Sequence, residues 1–241
     1  MFRQEMEQAS SLYGLKLNED QLDKFTTYYE LLLAWNEKMN LTAITEEREV
    51  AVKHMIDSLT ALAGWETMGQ EGSLHLVDVG TGAGFPGLPL KIFCPELHLV
   101  LVDSLKKRVD FLETVVKELA LRNVQCLHMR AEEAARRKEL RERFDVAVSR
   151  AVARLPVLVE YLFPFVRVGG AALALKGLQY REEIEEARRA VQLMGGREIQ
   201  AVPVTLPYLT DKRAVVVMKK ERPTPKAYPR KAGTPGKAPL L

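Results

Sequence analysis

The sequence has only two cysteines, no long hydrophobic run and no apolar segment at its start. Cys94 and Cys126 have neither the pattern of a disulfide framework nor the spacing of metal ligands. We expect both to be small buried residues in a reducing compartment. No run of about 18 apolar residues occurs, which excludes a membrane-spanning helix. Residues 1–10 mix both charge signs and lack a signal-peptide core, so we expect a cytoplasmic protein.

The overall composition is that of an ordinary globular protein. The chain has 241 residues, of which 47% are hydrophobic and 28% are charged. This is enough for one substantial domain, with or without an appended subdomain. It excludes a disordered or fibrous chain. We expect a monomer that holds no metal ion.

Charge is distributed unevenly along the chain. The net charge is +3, from 35 Lys and Arg against 32 Asp and Glu. Residues 219–241 hold seven of the basic residues and one acidic residue, so the rest of the chain carries −3. A basic tail on a mildly acidic body indicates an anionic partner, and a solubilising tail without a partner is an equal alternative. Five prolines and two glycines argue against a helix and predict an extended arm.

The first 67 residues are predicted to be helical. A capping-box pattern runs from Asn18 to Gln21. Apolar residues then recur at helical spacing, at Leu22, Phe25, Tyr29, Leu32 and Leu33. A second helix is predicted from Glu47, with His54 and Asp57 sharing a face that differs from its apolar side.

From residue 73 onward, short β-branched runs alternate with helical stretches. This alternation predicts an α/β fold with a doubly wound, mostly parallel sheet. The predicted buried strands are 74–80, 97–103, 123–129, 144–150 and 171–177.

Two more strand-like segments, 202–209 and 213–220, are close enough to pair as an antiparallel hairpin at one edge of the sheet. We therefore divide the chain into a helical N-terminal subdomain (1–67), a core (68–220) and a basic, proline-rich C-terminal arm (221–241).

The most specific segment is LVDVGTGAGFPG, residues 76–87. It places Gly80, Gly82 and Gly84 between the first buried strand and a helix. Glycine lets the backbone turn sharply there and approach a ligand closely. We call residues 80–87 the glycine loop. A tight turn without a ligand is the less favoured alternative.

Two cofactors suit this loop. Gly82, Gly84 and Gly87 match the dinucleotide fingerprint, and Asp103 stands where a ribose-binding acid is expected, so a nicotinamide-dependent oxidoreductase is one interpretation. An S-adenosylmethionine enzyme is favoured because Asp78, at the strand end, suits the methionyl ammonium and would repel a pyrophosphate. Asp103 would then accept hydrogen bonds from both ribose hydroxyls.

Eight segments resemble the RsmG (GidB) family of bacterial 16S ribosomal RNA guanine-N7 methyltransferases. In chain order they are NLTAI (40–44), HMIDSL (54–59), VDVGTGAGFPGLPLKI (77–92), LVDSLKKRVDFL (101–112), RAEE (130–133), FDVAVSRAVA (144–153), GGAALALKG (169–177) and YPRKAGTPGKAPL (228–240). The resemblance implies a class I methyltransferase fold, with a Rossmann-like sheet. It also implies S-adenosyl-L-methionine as cofactor, and 16S ribosomal RNA or the small ribosomal subunit as partner.

The resemblance further implies a cofactor site at Gly80, Phe85, Asp103, Ser104, Leu105, Ala131, Glu132 and Arg150. The residue types suit these roles, since Gly80 admits the methionine part, Phe85 packs against it and Asp103 takes the ribose. Ser104 and Leu105 would line one side of the adenine, and Ala131 and Glu132 would line the other side. Phe85 as a core residue and Glu132 as a solvated acid at a helix start remain alternatives.

Guanine N7 carries an in-plane lone pair, so its methylation needs positioning and no general base. The chain lacks the Asn/Asp-Pro-Pro-aromatic tetrapeptide that an exocyclic-amine methyltransferase carries after its fourth strand, where Ser149, Arg150 and Ala151 stand. Neither cysteine follows that strand, as the nucleophile of a cytosine-C5 enzyme would. Arg150 is therefore predicted to be the catalytic positioning residue, with a structural ion pair as the alternative.

Four more polar residues have open roles. Lys176 is a weaker candidate of the same kind as Arg150. His54 and Asp57 either line the site or form a structural pair, and Asn40 either caps a turn or reads the base. Since N7 faces the deep major groove of A-form RNA, we expect an unpaired target. The complete glycine loop argues against a non-catalytic RNA-binding protein.

Overall fold

The computed structural model describes residues 1–67, 69 and 74–241, and the predicted boundary at residue 68 lies outside them. Seven strands in this part of the chain form one sheet in the order β3-β2-β1-β4-β5-β7-β6. They are β1 (His75–Val79), β2 (His98–Asp103), β3 (Val124–His128), β4 (Phe144–Arg150), β5 (Val166–Lys176), β6 (Gly196–Val204) and β7 (Arg213–Lys220). The first five are parallel, and β7 runs antiparallel to both β5 and β6. The predicted α/β class and the antiparallel edge hairpin are confirmed, but the first strand of the hairpin is Gly196–Val204 and not the predicted 202–209.

Helices cover both faces of the sheet. The first group comprises α1 (Phe2–Leu12), α2 (Glu19–Met39), α3 (Glu47–Val50), α4 (Asp57–Leu59) and α5 (Ala61–Glu66), and the next α6 (Gly87–Phe93), α7 (Lys106–Glu118) and α8 (Ala131–Ala134). The last are α9 (Leu155–Leu162), α10 (Tyr180–Met194) and α11 (Thr234–Lys237). A π-helical turn (Ala51–Ile56) joins α3 to α4, and a 3₁₀ turn (Phe163–Phe165) follows α9.

Strand alternation assigns the side chains to two apolar layers. Leu76 and Val146 belong to the layer that also contains Phe25 and Tyr28 of α2. Val77 and Ala147, one residue further along the same strands, belong to the layer of α9 and α10. The N-terminal helices thus share a core with the sheet; the division at residue 67 stays a prediction.

The ends of α2 follow from its sequence. Asn18 accepts from the Gln21 backbone N–H, and the Gln21 side chain accepts from that of Asn18, which confirms the predicted capping box. Asn40 ends the helix in the left-handed conformation, with φ 50°. Asn40 therefore ends the preceding helix, and neither role proposed for its side chain, capping the following turn or reading the base, is tested.

The second predicted helix is wrong in one respect, since its middle is π-helical from Ala51 to Ile56. A π turn holds one more residue than an α turn and so changes the direction of the side chains beyond it. This turn contains His54 and directly precedes Asp57. None of the helices in the described part of the chain is long and apolar enough to cross a bilayer.

The prediction of an extended C-terminal arm is wrong. Residues 221–241 fold back onto the body and contain the short helix α11. Thr224 and Pro229 are buried, and Arg141 donates to the carbonyl oxygens of Thr224 and Tyr228 at 3.0 and 2.9 Å. Composition gave no sign of this, because the partners of the segment lie some 80 residues earlier in the chain.

Candidate active site

A cavity of about 460 Å³ opens at the carboxyl ends of β1, β2 and β4. The strand order reverses at β1, which is where open α/β sheets bind ligands. Seven of the eight predicted cofactor residues line it: Gly80, Phe85, Asp103, Ser104, Ala131, Glu132 and Arg150. Leu105 does not; its side chain is 52% exposed, and its backbone N–H is bound to Asp103 at 2.9 Å. The structure therefore brings together all but one of the eight predicted cofactor residues.

The glycine loop turns back over β2. Gly80 donates to the Val102 carbonyl at 2.8 Å and has φ +71°, and a Cβ there would come within 2.6 Å of the Val152 side chain. Gly82 has φ +62°, and a Cβ there would meet no protein atom within 4 Å. Because Gly82 lines the cavity, a larger residue would take up space that the cavity now offers to a ligand.

Asp103 fixes the far side of the loop and is nearly fully buried. Its Oδ2 accepts from the Gly82 backbone N–H at 2.9 Å, and its Oδ1 accepts from that of Leu105 at 2.9 Å. Arg108 lies 3.6 Å from Oδ2. Each carboxylate oxygen has two lone pairs, so one on each remains for a ribose hydroxyl. The carboxylate is held in place before any ligand arrives.

The role proposed for Asp78 is wrong. Its side chain is fully buried and does not line the cavity. Oδ2 accepts from the Thr81 hydroxyl at 2.7 Å and the Gly87 backbone N–H at 2.8 Å, and Oδ1 has no partner. Burial raises the pKa of Asp78 to about 7, although the two hydrogen bonds that its carboxylate accepts act to lower it. This acid fastens the glycine loop to α6 and cannot reach a methionyl ammonium.

Phe85 is both a core residue and a wall of the cavity. Its ring is 6% exposed and stacks on Tyr28 and His54, with centroids 5.5 and 4.7 Å away. The guanidinium of Arg150 lies 4.9 Å from the same ring centroid. Tyr28 also donates its hydroxyl to the Ala83 carbonyl. Helix α2 thereby supports the glycine loop from behind.

Arg150 forms the structural ion pair of the alternative interpretation, and its catalytic role stays a prediction. Nη1 donates to Asp57 Oδ2 and to the Lys53 carbonyl, each at 2.9 Å. Asp57 also accepts from Arg213 at 3.1 Å, so one buried carboxylate joins two arginines. The Arg150 guanidinium nevertheless borders the cavity, and this ion pair fixes its position there.

His54 belongs to the site as a neutral group. Its Nε2 lies 2.7 Å from the Thr42 hydroxyl, and its Nδ1 lies 3.2 Å from the Lys53 carbonyl. Burial, together with the nearby positive charge of Arg150, lowers its pKa to about 4. The imidazole is therefore uncharged and weakly basic at neutral pH.

A second cavity of about 460 Å³ adjoins the first and shares His54, Arg150 and Ala151 with it. Lys176 lines this second cavity and donates to the Ala153 carbonyl and to Glu183 at 2.6 and 2.7 Å. The second cavity is lined by four basic side chains (Lys53, Arg150, Lys176 and Arg213) and two acidic ones (Asp57 and Glu183), so basic residues are in excess there.

Glu132 is buried, so it is not the solvated acid of the alternative interpretation. Its Oε1 accepts from the Gly233 backbone N–H at 2.8 Å, and Gly233 also lines the cavity. Sequence reasoning missed Gly233 and Tyr161, a residue of α9, which both line the cavity. Neither has a local signal, because both reach the site through packing of distant segments.

The thiols take no part in the site. Cys94 and Cys126 do not line the cavity, and both are partly buried. Burial raises the pKa of both, that of Cys126 to about 12. A thiolate nucleophile is thereby disfavoured at neutral pH. The part of the chain that the structure describes holds no cluster of three metal-binding side chains.

These residues fit S-adenosylmethionine. A cavity of this volume suits a nucleoside-sized ligand, the Asp103 carboxylate faces it ready for ribose hydroxyls, and the space beside Gly82 admits close contact with the backbone. The antiparallel β7, placed between β5 and β6, departs from the 3-2-1-4-5-6 order of nicotinamide-binding sheets. When bound, the cofactor supplies an electrophilic methyl group on a sulfonium.

Known structures share this fold. Geranyl diphosphate C-methyltransferase from Streptomyces coelicolor, solved with S-adenosyl-L-homocysteine, matches 80% of this chain and 98% of its own, with a TM-score of 0.54 and 15% identity. The fold is that of the class I S-adenosylmethionine-dependent methyltransferases.

Sequence comparison goes further. A family model described as rRNA small subunit methyltransferase G matches residues 21–212. The Ribosomal RNA small subunit methyltransferase G of Desulfitobacterium hafniense is 51% identical over 95% of this chain and 93% of its own. The protein of the same name from Halalkalibacterium halodurans is 48% identical over 99% and 98%. The chain therefore belongs to the rRNA small subunit methyltransferase G family.

Proposed function

We propose that the protein transfers the methyl group of S-adenosyl-L-methionine to N7 of a guanine in 16S ribosomal RNA. The observation that carries this proposal is the arrangement at the junction of the two cavities, where the Phe85 ring packs against both Arg150, which Asp57 holds, and His54. Burial lowers the pKa of His54 to about 4, so this imidazole is neutral and weakly basic at physiological pH. A ring nitrogen with a free lone pair needs no base, whereas an amine or hydroxyl acceptor has to lose a proton.

The chain's own groups then act by positioning. Asp103 and the glycine loop hold the cofactor, and Arg150, fixed by Asp57, directs the target base at the junction. Among the described residues that line the cofactor cavity, no cysteine stands ready as a nucleophile. The contribution of the protein is the near-attack geometry of N7 and the sulfonium methyl.

The substrate side has an excess of basic side chains, which suits an RNA ligand. Arg150, Lys176 and Arg213 line the second cavity together with Asp57 and Glu183, and Arg130 lines the first. Since N7 is out of reach in paired A-form RNA, we infer an unpaired or flipped guanine. We infer action in the cytoplasm, where ribosomal subunits mature.

The test is nucleoside mass spectrometry. Small-subunit RNA from a strain that lacks the gene is incubated, naked or as 30S particles, with enzyme and S-adenosylmethionine, and its nucleosides are analysed. We expect 7-methylguanosine to appear with the wild type and to fall strongly with Arg150→Ala. A methyl group found on another atom, or no transfer to either RNA form, would contradict the proposal.

A further inference from the structure

The C-terminal segment reaches the cofactor cavity by a chain of buried polar contacts. The first is at Lys220, whose side chain is 1% exposed and donates to Glu142 and to the Phe163 and Val166 carbonyls at 2.7–2.8 Å. The same Glu142 oxygen accepts from the Thr224 backbone N–H at 2.7 Å. The path of the chain after β7 is thereby fixed.

The second contact joins Arg230 to Glu160 of α9. Glu160 is fully buried and accepts from both the guanidinium and the backbone N–H of Arg230, at 2.6–3.1 Å. Arg230 also donates to the Ala238 carbonyl at 2.7 Å, which closes residues 230–238 into a loop. Without Arg230, the Glu160 carboxylate would be buried and lack a cationic partner, an arrangement that proteins rarely tolerate.

The third contact lies at the cavity itself. The Gly233 N–H donates to Glu132, and the Thr234 N–H donates to the Lys231 carbonyl at 2.9 Å in a tight turn. Gly233, Glu132 and Tyr161 all line the cavity. One wall of the predicted adenine side therefore comes from the tail, and Glu132, a predicted cofactor residue, is oriented by it.

We propose that residues 230–234 are part of the cofactor site, a wall held in place by the buried carboxylates Glu160 and Glu132. Arg230 and Glu160 are positioning residues, and the backbone around Gly233 is a binding element. This inference rests on the proposed S-adenosylmethionine site. It gives the tail a cofactor-binding role in addition to its charge.

Calorimetric titration of S-adenosylmethionine without RNA tests the wall. Arg230→Ala is expected to lower the affinity at least tenfold, and Arg230→Lys to restore part of it. Lys226→Ala is the matched control, because Lys226 is a basic residue of the tail outside the proposed wall and is exposed, with no side-chain partner in the described chain. It should bind as the wild type does. Equal binding by Arg230→Ala and the wild type would overturn the inference.

Hydrogen exchange of the wild-type protein provides a second test that needs no variant. Saturating S-adenosylmethionine is expected to slow amide exchange in residues 230–234 and to leave residues 198–200, in edge strand β6, unchanged. Cofactor binding that leaves 230–234 unprotected would overturn the wall while the proposed function stands. A wild-type protein that binds no S-adenosylmethionine would overturn both.

Discussion

Arg150, which lines both cavities, forms an ion pair of 2.9 Å with Asp57, and its guanidinium lies over the Phe85 ring. Two elements distant in sequence, the end of β4 and the start of α4, thus fix one cation beside the glycine loop. The side chains of Arg150 and Asp57 are 14% and 8% exposed, so this cation is held away from solvent. A substitution of Arg150 therefore removes both the ion pair with Asp57 and the contact with the Phe85 ring.

The rate of methyl transfer should be nearly flat between about pH 6 and 9 in single-turnover experiments. His54, with its pKa of about 4, changes charge well below this window. Arg150→Ala should lower the rate by a similar factor at every pH, and Arg150→Lys should recover part. Arg213→Ala breaks the other Asp57 pair and should leave cofactor affinity unchanged. A rate that rises tenfold per pH unit through neutrality would show a missed general base.

Gly82→Val should abolish cofactor binding while circular dichroism stays that of the wild type. The new side chain would enter the cavity and would also strain the backbone at φ +62°. Gly14→Val separates the two effects, because Gly14 has φ +84° and equal open space but lies outside the cofactor cavity. It should lose stability and keep its affinity. If Gly82→Val bound the cofactor with wild-type affinity, the glycine loop would not be part of the cofactor site.

Asp103→Ala should weaken cofactor binding by roughly 1.5–3 kcal/mol, as measured by calorimetry, since it removes charge-assisted hydrogen bonds. It also frees the Gly82 and Leu105 N–H groups that hold the loop. Asp103→Asn keeps one acceptor oxygen and should lie between. Asp110→Ala, which removes an acid paired with Lys106 on the exposed side of α7, should change nothing. An unchanged affinity in Asp103→Ala would place the ribose elsewhere.

Two exposed lysines of the tail outside residues 230–234, Lys226 and Lys237, have no side-chain partner in the described chain. If they contact phosphates, the double alanine variant should bind RNA less tightly. Its salt dependence should flatten by about 0.7 log unit per lost contact with single-stranded RNA. Its S-adenosylmethionine affinity should stay the same. Truncation of residues 222–241 would be a poorer test, because it would also remove residues 230–234, the proposed wall of the cofactor site. Filter binding over a salt series measures the slope, and an equal slope would leave these lysines as solvated charge.

Asp78 should make the protein less stable as pH rises. Its folded pKa of about 7 is above the ordinary value of 3.8, so between these values the folded protein holds a proton that the unfolded chain has released. The free energy of unfolding therefore falls through this range, by on the order of 4 kcal/mol from this group. Urea titrations at pH 5 and 8 span the upper part of this range, so they should show a fall of about 2.7 kcal/mol in the wild type and a smaller one in Asp78→Asn. Equal falls would contradict the assignment.

Local pattern predicts local structure here, and much of the site with it. The strand–glycine–helix segment and Asp103 lie in short runs. The periodicity and turn residues of these runs predict their structure without reference to distant parts of the chain. The burial of Asp78 could not be predicted, because its hydrogen bonds to Thr81 and Gly87 depend on how the glycine loop folds. Gly233 was not predictable, since its place in the site depends on Glu160 and Arg230, which are 70 residues apart.

The position of Gly233 along the chain also affects when the site can exist during synthesis. Residues are added from the N-terminus, so the glycine loop and all seven strands are made before Gly233. Until that residue has emerged and docked on Glu132, the cavity has an open side. Stabilisation by a bound ligand requires a formed site. S-adenosylmethionine should therefore protect the finished enzyme from unfolding and give little help to the nascent chain.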